Sequence, residues 1–398
     1  MGWLGLDDTD SLAGGCTTKS MEDLLQNLPD DVRVGTVHLV RLWPFASGRT
    51  RGNAALSVEL LCDDDEALLS HLDRWWAEEL SNLKGLISPS HHSDRPQVPS
   101  DPGMVWFDSQ PDPMHYWSAV QHHVEVLDLP QATKSWGGAG IIGATAAAAW
   151  PGVNSTWESI AWRQTSNTDA PRSVCTKSLA EIDNWPGTFM SRDPRSGTSL
   201  IAPRGHSPVL CGVRATTEEQ AEQALTHLLS SPNTEPSAGH RTFKTNQASG
   251  DHLQPVVRAV VEDVIVDAQR KHAKVETTQG IWISFGEGGP VNQLARWLKK
   301  GDIVELNGLE SDDGTFHMEQ LRIVSWNART QLRPLCSNCN VRMKSMGRNQ
   351  GVRCPTCKQR LDDSWVDVPS EPPFKDWVEP PASARRHLAR PLAWGPKK

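Results

Sequence analysis

Three carboxylates crowd into four positions near the start of the chain. The apolar run 1–6 breaks into Asp7, Asp8 and Asp10. Carboxylates this close repel one another, so a folded protein usually keeps them together around a cation. Mg²⁺ with a nucleotide is the natural candidate, because Mg²⁺ is held by one or two carboxylates plus substrate phosphates. A solvated acidic turn after an edge strand explains the residues equally well, since Asp, Ser and Gly are ordinary turn residues.

A glycine-rich turn is a second candidate for phosphate chemistry. Gly137, Gly138 and Gly140 lead into the alanine-rich stretch 141–149. A turn that opens onto a helix offers backbone N–H groups and a positive helix end to an anion. The run lacks both GxxxxGK[ST] and a full GxGxxG, so close helix packing, which also needs small residues, stays an open alternative.

Four cysteines near the C-terminus have the spacing of a metal site. Cys336 and Cys339 form one CxxC pair, and Cys354 and Cys357 form another after a fourteen-residue interval. Such knuckles place four thiolates tetrahedrally around Zn²⁺. Because all four positions are filled by protein ligands, the predicted zinc is structural and not catalytic.

The segment around these cysteines is purely basic. The chain carries a formal net charge of −8, so any nucleic-acid surface must be local. Between positions 333 and 361 every charged side chain is basic, including Arg342, Lys344, Arg348 and Arg353. These four are therefore predicted to bind RNA phosphates.

Bulk composition bounds the class of protein. With 398 residues, two to four domains are expected. The sequence shows no apolar stretch of about 18 residues and no secretion signal, which argues against a membrane protein. Eight cysteines, four of them in metal-like pairs, fit a reducing compartment, so a cytoplasmic protein is expected.

Residue periodicity predicts the elements that must position these groups. Predicted strands are 34–40, 54–62, 104–107, 123–129, 157–163 and 208–215. Predicted helices are 66–83 and 218–229, and 178–185 is predicted to be a short helix or turn. Residues 230–254 are predicted to be loop. Strand-like runs at 256–266, 273–284, 302–308 and 316–324, with a helix near 290–299, indicate an oligonucleotide-binding β-barrel, although a β-sandwich fragment is possible.

Several motifs in order along the chain resemble the archaeal isoleucine-tRNA 2-agmatinylcytidine synthetase (TiaS) family. The matching stretches are 5–11, 15–18, 50–54, 140–144, 208–214, 245–247, 343–345, 349–351, the four cysteines and 383–388. The resemblance implies a multidomain α+β fold with four domains. An ATP-binding kinase-like domain (1–62 plus 115–195) is interleaved with a ferredoxin-like domain (63–114 plus 196–254). An OB-fold barrel (255–327), a zinc ribbon (328–362) and a Pro/Trp-rich basic tail (363–398) follow.

The resemblance also implies a reaction. ATP activates C2 of the wobble cytidine in the isoleucine tRNA with a CAU anticodon, and agmatine displaces the activating group. The products are agmatidine, AMP and pyrophosphate, and the tRNA then reads AUA. The family's threonine at Thr18 is thought to be autophosphorylated. Asp7, Asp8 and Asp10 would hold Mg²⁺, while Lys134, Arg49 and Arg51 would contact phosphate.

Two departures from the family pattern bear on the substrates. The family's GNGRG has an arginine where this chain has Ala139, so another residue must replace any phosphate contact made by that arginine. The family's PHGPDPV run has an aspartate where this chain has Ser207, beside His206. These two residues are the predicted agmatine contacts, but Ser207 lacks the carboxylate that pairs best with a guanidinium.

Two other functions fit parts of the pattern. A non-catalytic tRNA- or single-strand-binding protein would keep the barrel and ribbon without the chemistry. A kinase with an RNA-tethering tail would keep the acidic cluster and Thr18. The sequence gives no sign of an obligate protein partner.

Overall fold

The computed structural model describes residues 1–10, 15–46, 53–85, 98–168, 170–203, 207–362, 364–368 and 370–395. The chain forms two compact units. The first comprises Met1–Pro255, Gly308–His317 and Pro380–Lys398; the second comprises Val256–Asn307 and Met318–Glu379. No helix in the described ranges is both long and apolar enough to cross a membrane.

One large sheet forms the centre of the first unit. Its strands are β1 Gly2–Asp7, β2 Arg33–Val34, β3 His38–Arg41, β4 Ala54–Leu61, β5 Gly103–Phe107, β6 Lys134–Gly137, β7 Thr156–Arg163, β8 Val209–Ala215 and β9 Ser237–Thr245. The strands run in the order β6-β5-β1-β4-β3-β9-β7-β8, and β2 pairs with β4. β3 and β9 pair in parallel, and the other neighbours are antiparallel. This one sheet contains strands from both of the predicted interleaved domains, so it does not separate them. The boundaries of these two domains stay a prediction.

Six helices in the described residues of this unit pack on the sheet or on one another. They are α1 Thr17–Gln26, α2 Asp65–Trp75, α3 Met114–Gln121, α4 Ile141–Ala148, α5 Thr176–Ile182 and α6 Glu218–Leu229. Helix α6 has the predicted bounds because Thr217 caps it and a buried stripe faces the core. Helix α2 is shorter than predicted, since the chain turns into a π-helical and then a 3₁₀ segment before Lys84.

Two expectations for this unit were wrong. The predicted loop 230–254 contains β9, which pairs with β7 on one side and β3 on the other. The polar residues of β9 led to the prediction of a loop. A strand in the middle of a sheet does not need a continuous apolar run when its Thr and Arg side chains have partners there. The predicted strand 123–129 is instead a 3₁₀ turn, Val126–Asp128, on the surface.

Helix α4 lies unusually close to the end of β1. A Cβ built on Gly5 would lie 2.2 Å from the carbonyl oxygen of Ala144, and one on Gly143 would lie 1.8 Å from Asp7 Oδ2. Only glycine allows this approach. Close packing therefore accounts for the small residues of α4, and it presses the helix against the acidic end of β1.

A closed five-stranded barrel follows in sequence. Its strands are β10 Val257–Val266, β11 Ala273–Thr277, β12 Gly280–Ser284, β13 Ile303–Glu310 and β14 Phe316–Ser325, and α7 Pro290–Trp297 connects β12 to β13. Closure confirms the barrel and excludes the sandwich fragment. Beyond it, short strands form two small sheets: β15 Thr330–Leu332 pairs with β19 Val366–Val368, and β16 Lys344–Ser345, β17 Val352–Arg353 and β18 Arg360–Leu361 form a three-stranded ribbon.

Candidate active site and zinc centre

The three aspartates meet where β1 ends. Asp7 Oδ1 accepts the N–H of Asp8 at 2.7 Å, and Asp8 Oδ2 accepts the N–H of Asp101 at 2.7 Å. Asp8 has a φ of 57°, in the left-handed region that aspartate tolerates better than most residues. This turn aims neighbouring carboxylates to one end of the sheet, and backbone donors fix two of them.

The cluster resists full ionisation. Burial, followed by the charge of Asp8, raises the pKa of Asp7 well above its usual range. Burial also raises the pKa of Asp8 to about 7, with smaller contributions from the charges of Asp10 and Asp101. A divalent cation would reverse this balance, because it favours the ionised carboxylates.

The geometry limits how such an ion could be held. In the described part of the chain, only four cysteines bring three or more ligand atoms within 4.8 Å of one another. The three aspartates therefore do not form a closed protein cage. One or two of these carboxylates, completed by water and phosphate oxygens, fit the coordination that Mg²⁺ takes with nucleotides.

A cavity of about 300 Å³ opens beside the aspartates. Asp7, Asp8, Asp10, Gly140 and Gly143 are among its lining residues. The connection after β3 and the end of α3 supply further ones, including Trp43, Asn53, His122 and His123. The aromatic and histidine side chains of this set were missed by the sequence reasoning. No local sequence pattern identifies positions 43 or 122–123 as site residues, because only the tertiary fold brings them near the carboxylates.

The glycine turn reaches the site but its N–H groups are engaged. Gly138 N donates to the carbonyl of Pro102, and Gly140 N to that of Asp101, both at 2.9 Å. Ala139 N donates to Asp101 Oδ2 at 2.8 Å, and Gly137 pairs with Gly103 in the sheet. Asp101, whose carboxylate also pairs with a lysine, thus occupies the turn that was predicted to receive phosphate.

The predicted basic phosphate contacts are not brought to the cavity within the described residues. Lys134 Nζ lies 2.6 Å from Asp73 Oδ2, and the other oxygen of Asp73 accepts Trp136 Nε1 at 2.8 Å. Lys134 is thereby tied to α2. Arg49 and Arg51 lie outside the described residues.

Thr18 lies in the first turn of α1 with a nearly buried side chain. Its Oγ1 accepts Trp162 Nε1 at 3.1 Å and lies 2.9 Å from Cys16 Sγ. Trp162 comes from β7 and is 1% exposed. The hydroxyl is therefore held by an indole from another part of the sheet, a partner that α1 alone would not suggest.

Of the two predicted agmatine contacts, His206 lies outside the described residues. Ser207 is buried, and its carbonyl accepts Arg172 Nη2 at 2.7 Å while its Oγ accepts the N–H of Val209. The described hydrogen bonds of Ser207 thus join it to an arginine and to a backbone N–H.

The C-terminal segment completes a buried polar network in the first unit. Glu158 pairs with Arg41 and Arg214, and it accepts a hydrogen bond from Gln247. Gln247 Oε1 lies 3.1 Å from His387 Nδ1. The charge of Arg41, followed by burial, holds the pKa of His387 well below its usual range. The tail therefore docks along the body of this unit through residues 386–388, and the carbonyls of His387 and Leu388 accept the N–H groups of residues 248 and 250.

The four cysteines form a compact tetrathiolate site. Their Sγ atoms lie within 4.8 Å of one another. Each knuckle turns through a left-handed residue, Asn340 after the first pair and Lys358 at the end of the second. The N–H groups of these residues donate to the carbonyls of Cys336 and Cys354. Four thiolates at this spacing fit Zn²⁺ with no open position.

The predicted RNA contacts surround this centre and are exposed. The exposed residues here include Arg342, Lys344, Arg348 and Arg353. β16 pairs with β17 so that Lys344 lies opposite Arg353, and β18 places Arg360 beside Arg353. Like charges held side by side on a surface favour a polyanionic partner.

Comparisons with known proteins match 98% of the chain. Family models described as the TiaS TCKD domain, the TiaS FLD domain and the TiaS C-terminal zinc ribbon domain match residues 3–138, 138–252 and 333–368. The isoleucine-tRNA 2-agmatinylcytidine synthetase TiaS of Methanopyrus kandleri is 30% identical, over 98% of this chain and 96% of the relative. That of Methanosarcina mazei is 29% identical over the same shares.

Solved structures give the same result. The crystal structure of TiaS in complex with its isoleucine tRNA and ATP superposes with a TM-score of 0.81 at 27% identity, covering 98% of this chain and 97% of that one. The complex of TiaS with the same tRNA, AMPCPP and agmatine gives a TM-score of 0.76 at 25% identity, covering 98% and 96%. The multidomain α+β fold with a barrel and a zinc ribbon is thus confirmed.

Proposed function

Because the chain belongs to the isoleucine-tRNA 2-agmatinylcytidine synthetase (TiaS) family, we propose that it joins agmatine to C2 of the wobble cytidine of the CAU-anticodon isoleucine tRNA at the expense of ATP. The similarity extends over 98% of the chain and includes relatives crystallised with isoleucine tRNA, ATP and agmatine. The observation that carries the proposal is the cavity lined by Asp7, Asp8 and Asp10, which the chemistry of the reaction explains. Its tRNA substrate would place the enzyme in the cytoplasm.

The reaction must replace an oxygen by a nitrogen on an aromatic ring. The C2 oxygen of cytosine is a poor leaving group until it carries a phosphoryl group from ATP. The primary amine of agmatine then forms a bond to C2 and gives up a proton, the C2–O bond breaks, and the oxygen leaves on the phosphorus of the activating group. Phosphoryl transfer depends mainly on positioning and on neutralising charge, so the protein needs a site for metal and phosphates more than a nucleophile.

The aspartate turn would supply that site. Mg²⁺ bound there would neutralise the phosphate charge and favour the ionised form of the crowded carboxylates. Asp8 and Asp7 are already fixed by backbone donors, so they would present their oxygens without a large loss of side-chain freedom. The wobble base must leave its stack to enter the cavity beside them.

Thr18 is the proposed acceptor of a phosphoryl group within the protein. Its hydroxyl lies in the first turn of α1, where a helix favours negative charge, and Trp162 Nε1 donates to the oxygen that would be phosphorylated. Contact with phosphate is proposed for Lys134, Arg49 and Arg51. Contact with agmatine is proposed for His206 and Ser207. The boundaries of the two interleaved domains are proposed as well.

The proposal is tested by incubating the protein with the unmodified isoleucine tRNA, ATP and labelled agmatine. Label should enter the tRNA only when ATP is present and only when the wobble position is cytidine. Two variants are compared. Asp10→Asn should abolish agmatine incorporation with tRNA affinity nearly unchanged. Asp30→Asn, on an exposed turn, should keep agmatine incorporation. Tight tRNA binding without incorporation would support a non-catalytic binding protein. Transfer of γ-phosphate to a second protein or to a small molecule, without incorporation of agmatine into tRNA, would support a kinase.

A further inference from the structure

Trp365 stands apart from the other aromatic residues of the chain. It is 53% exposed, and it is the only aromatic side chain among the large exposed hydrophobic residues in the described ranges. Its neighbours Leu332 and Val366, which face each other where β15 pairs with β19, are also exposed. An exposed tryptophan on an uncovered two-stranded ribbon gains little for folding, so it points to a partner.

An arginine already covers part of this ring. The Arg333 guanidinium carbon lies 3.9 Å from the centroid of Trp365, and Arg333 Nη1 donates to the carbonyl of Ser364 at 3.3 Å. The carbonyl of Arg333 in turn accepts Arg342 Nη1 at 2.7 Å. The ring is therefore held in one orientation by a stacked cation, while about half of the side chain stays open to solvent.

The charge of the neighbouring zinc ribbon selects the partner, although the residues that flank Trp365 itself in the sequence, Asp362, Asp363 and Asp367, are acidic. From position 333 to 361 the segment has seven basic side chains and no acidic one: Arg333, Arg342, Lys344, Arg348, Arg353, Lys358 and Arg360. The barrel is different, because residues 256–327 contain more Asp and Glu than Lys and Arg. A polyanion is favoured at the ribbon, and an exposed aromatic ring adds a surface for a flat, apolar group.

We propose that Trp365, held by Arg333, is a stacking platform for an unpaired base of the substrate tRNA. Bases inside an A-form duplex are stacked and hidden, so only unpaired nucleotides can offer a face to the indole. The basic side chains would bind the backbone on either side of that base. The inference rests on the proposed function in one respect, namely that the partner is RNA.

The test is RNA binding by the full-length protein, which does not depend on turnover. Trp365→Ala, Trp365→Phe and the neighbouring Val366→Ala would be compared on three probes: the isoleucine tRNA transcript, a single-stranded oligonucleotide of about 12 nucleotides and a blunt RNA duplex. Trp365→Ala should weaken the first two by about 5- to 150-fold, the range for one lost base stack, and leave duplex binding within about twofold. Trp365→Phe should keep most of the affinity, and Val366→Ala nearly all of it.

Salt dependence separates stacking from phosphate contact. Trp365→Ala should leave the slope of log affinity against log salt concentration unchanged. Arg353→Gln should lower the magnitude of this slope by about 1, because one phosphate contact is lost. The amount of bound zinc, measured for every variant, shows whether the zinc ribbon domain is folded. Wild-type affinity of Trp365→Ala for the transcript, or an equal loss on the duplex, would overturn the proposal. If agmatine incorporation failed while these binding results held, the proposed function would fall and the platform would stand.

Discussion

Replacing Asp8 by asparagine should make the free protein more stable at alkaline pH while abolishing agmatine transfer. Burial is the main reason that the pKa of Asp8 rises from 3.8 to about 7. In the unfolded chain the same carboxyl titrates near its ordinary value. Between pH 3.8 and about pH 7 the Asp8 carboxyl holds a proton in the folded protein that it has released in the unfolded chain. The free energy of unfolding therefore falls as pH rises through this range and levels off above about pH 7.

The size of the effect follows from the two pKa values. Once both states are ionised, the difference between 3.8 and about 7 corresponds to about 4 kcal/mol of unfolding free energy lost. Asparagine carries no charge, and its amide oxygen can still accept the N–H of Asp101 that Asp8 Oδ2 accepts at 2.7 Å. The variant should therefore avoid most of this cost, with a gain of about 2–4 kcal/mol at about pH 8 and about 1 kcal/mol at about pH 4.5.

Urea unfolding without divalent cations, followed at both pH values, measures this gain. Groups far from residue 8 titrate alike in both proteins, so they cancel in the difference between variant and wild type. Asp7 does not cancel, because the charge of Asp8 raises its pKa, and removing that charge adds to the gain at alkaline pH. Asp30→Asn is the control, because Asp30 is exposed on a turn. Mg²⁺ should stabilise the wild type more than Asp8→Asn. A variant that is less stable than wild type at about pH 8, or whose gain does not change with pH, would refute the reasoning.

Three further predictions address other parts of the site. Trp162→Phe removes the 3.1 Å hydrogen bond to Thr18 Oγ1 and should lower kcat about tenfold with unchanged tRNA affinity, measured by steady-state kinetics; a change in affinity alone would contradict it. Cys354→Ser should release zinc, measured by metal analysis, and weaken tRNA binding; a zinc-free protein with wild-type affinity would contradict the role of the ribbon. Gly143→Ala should abolish transfer and lower the melting temperature, because its Cβ would lie 1.8 Å from Asp7 Oδ2; an active, equally stable variant would refute the close approach.

Local patterns were sufficient where a motif carries its own geometry. The CxxC pairs predicted the tetrathiolate centre because the ligand spacing and the knuckle turns are both short-range. Helix α6 was predicted with its bounds because its cap and buried stripe lie close together in the sequence. The aspartate turn was predicted as a cluster for the same reason, since three carboxylates after a strand cannot lie far apart.

Long-range partners could not be predicted in this way. Asp101 lies far along the chain from the glycine turn, yet its carboxylate accepts the N–H of Ala139 that was expected to face phosphate. Trp162 reaches Thr18 from β7, and His122 and His123 reach the cavity from the end of α3. Each of these contacts depends on how strands are ordered in one sheet, which no local pattern encodes.

The most direct test of the central claim is mass spectrometry of the wobble nucleoside in the CAU-anticodon isoleucine tRNA. The tRNA would be isolated from cells that carry this protein and from cells in which Asp10→Asn replaces it. The first sample should contain cytidine carrying agmatine in place of its C2 oxygen, and the second should contain unmodified cytidine. Unmodified cytidine, or a different amine at C2, in the presence of the active protein would contradict the account.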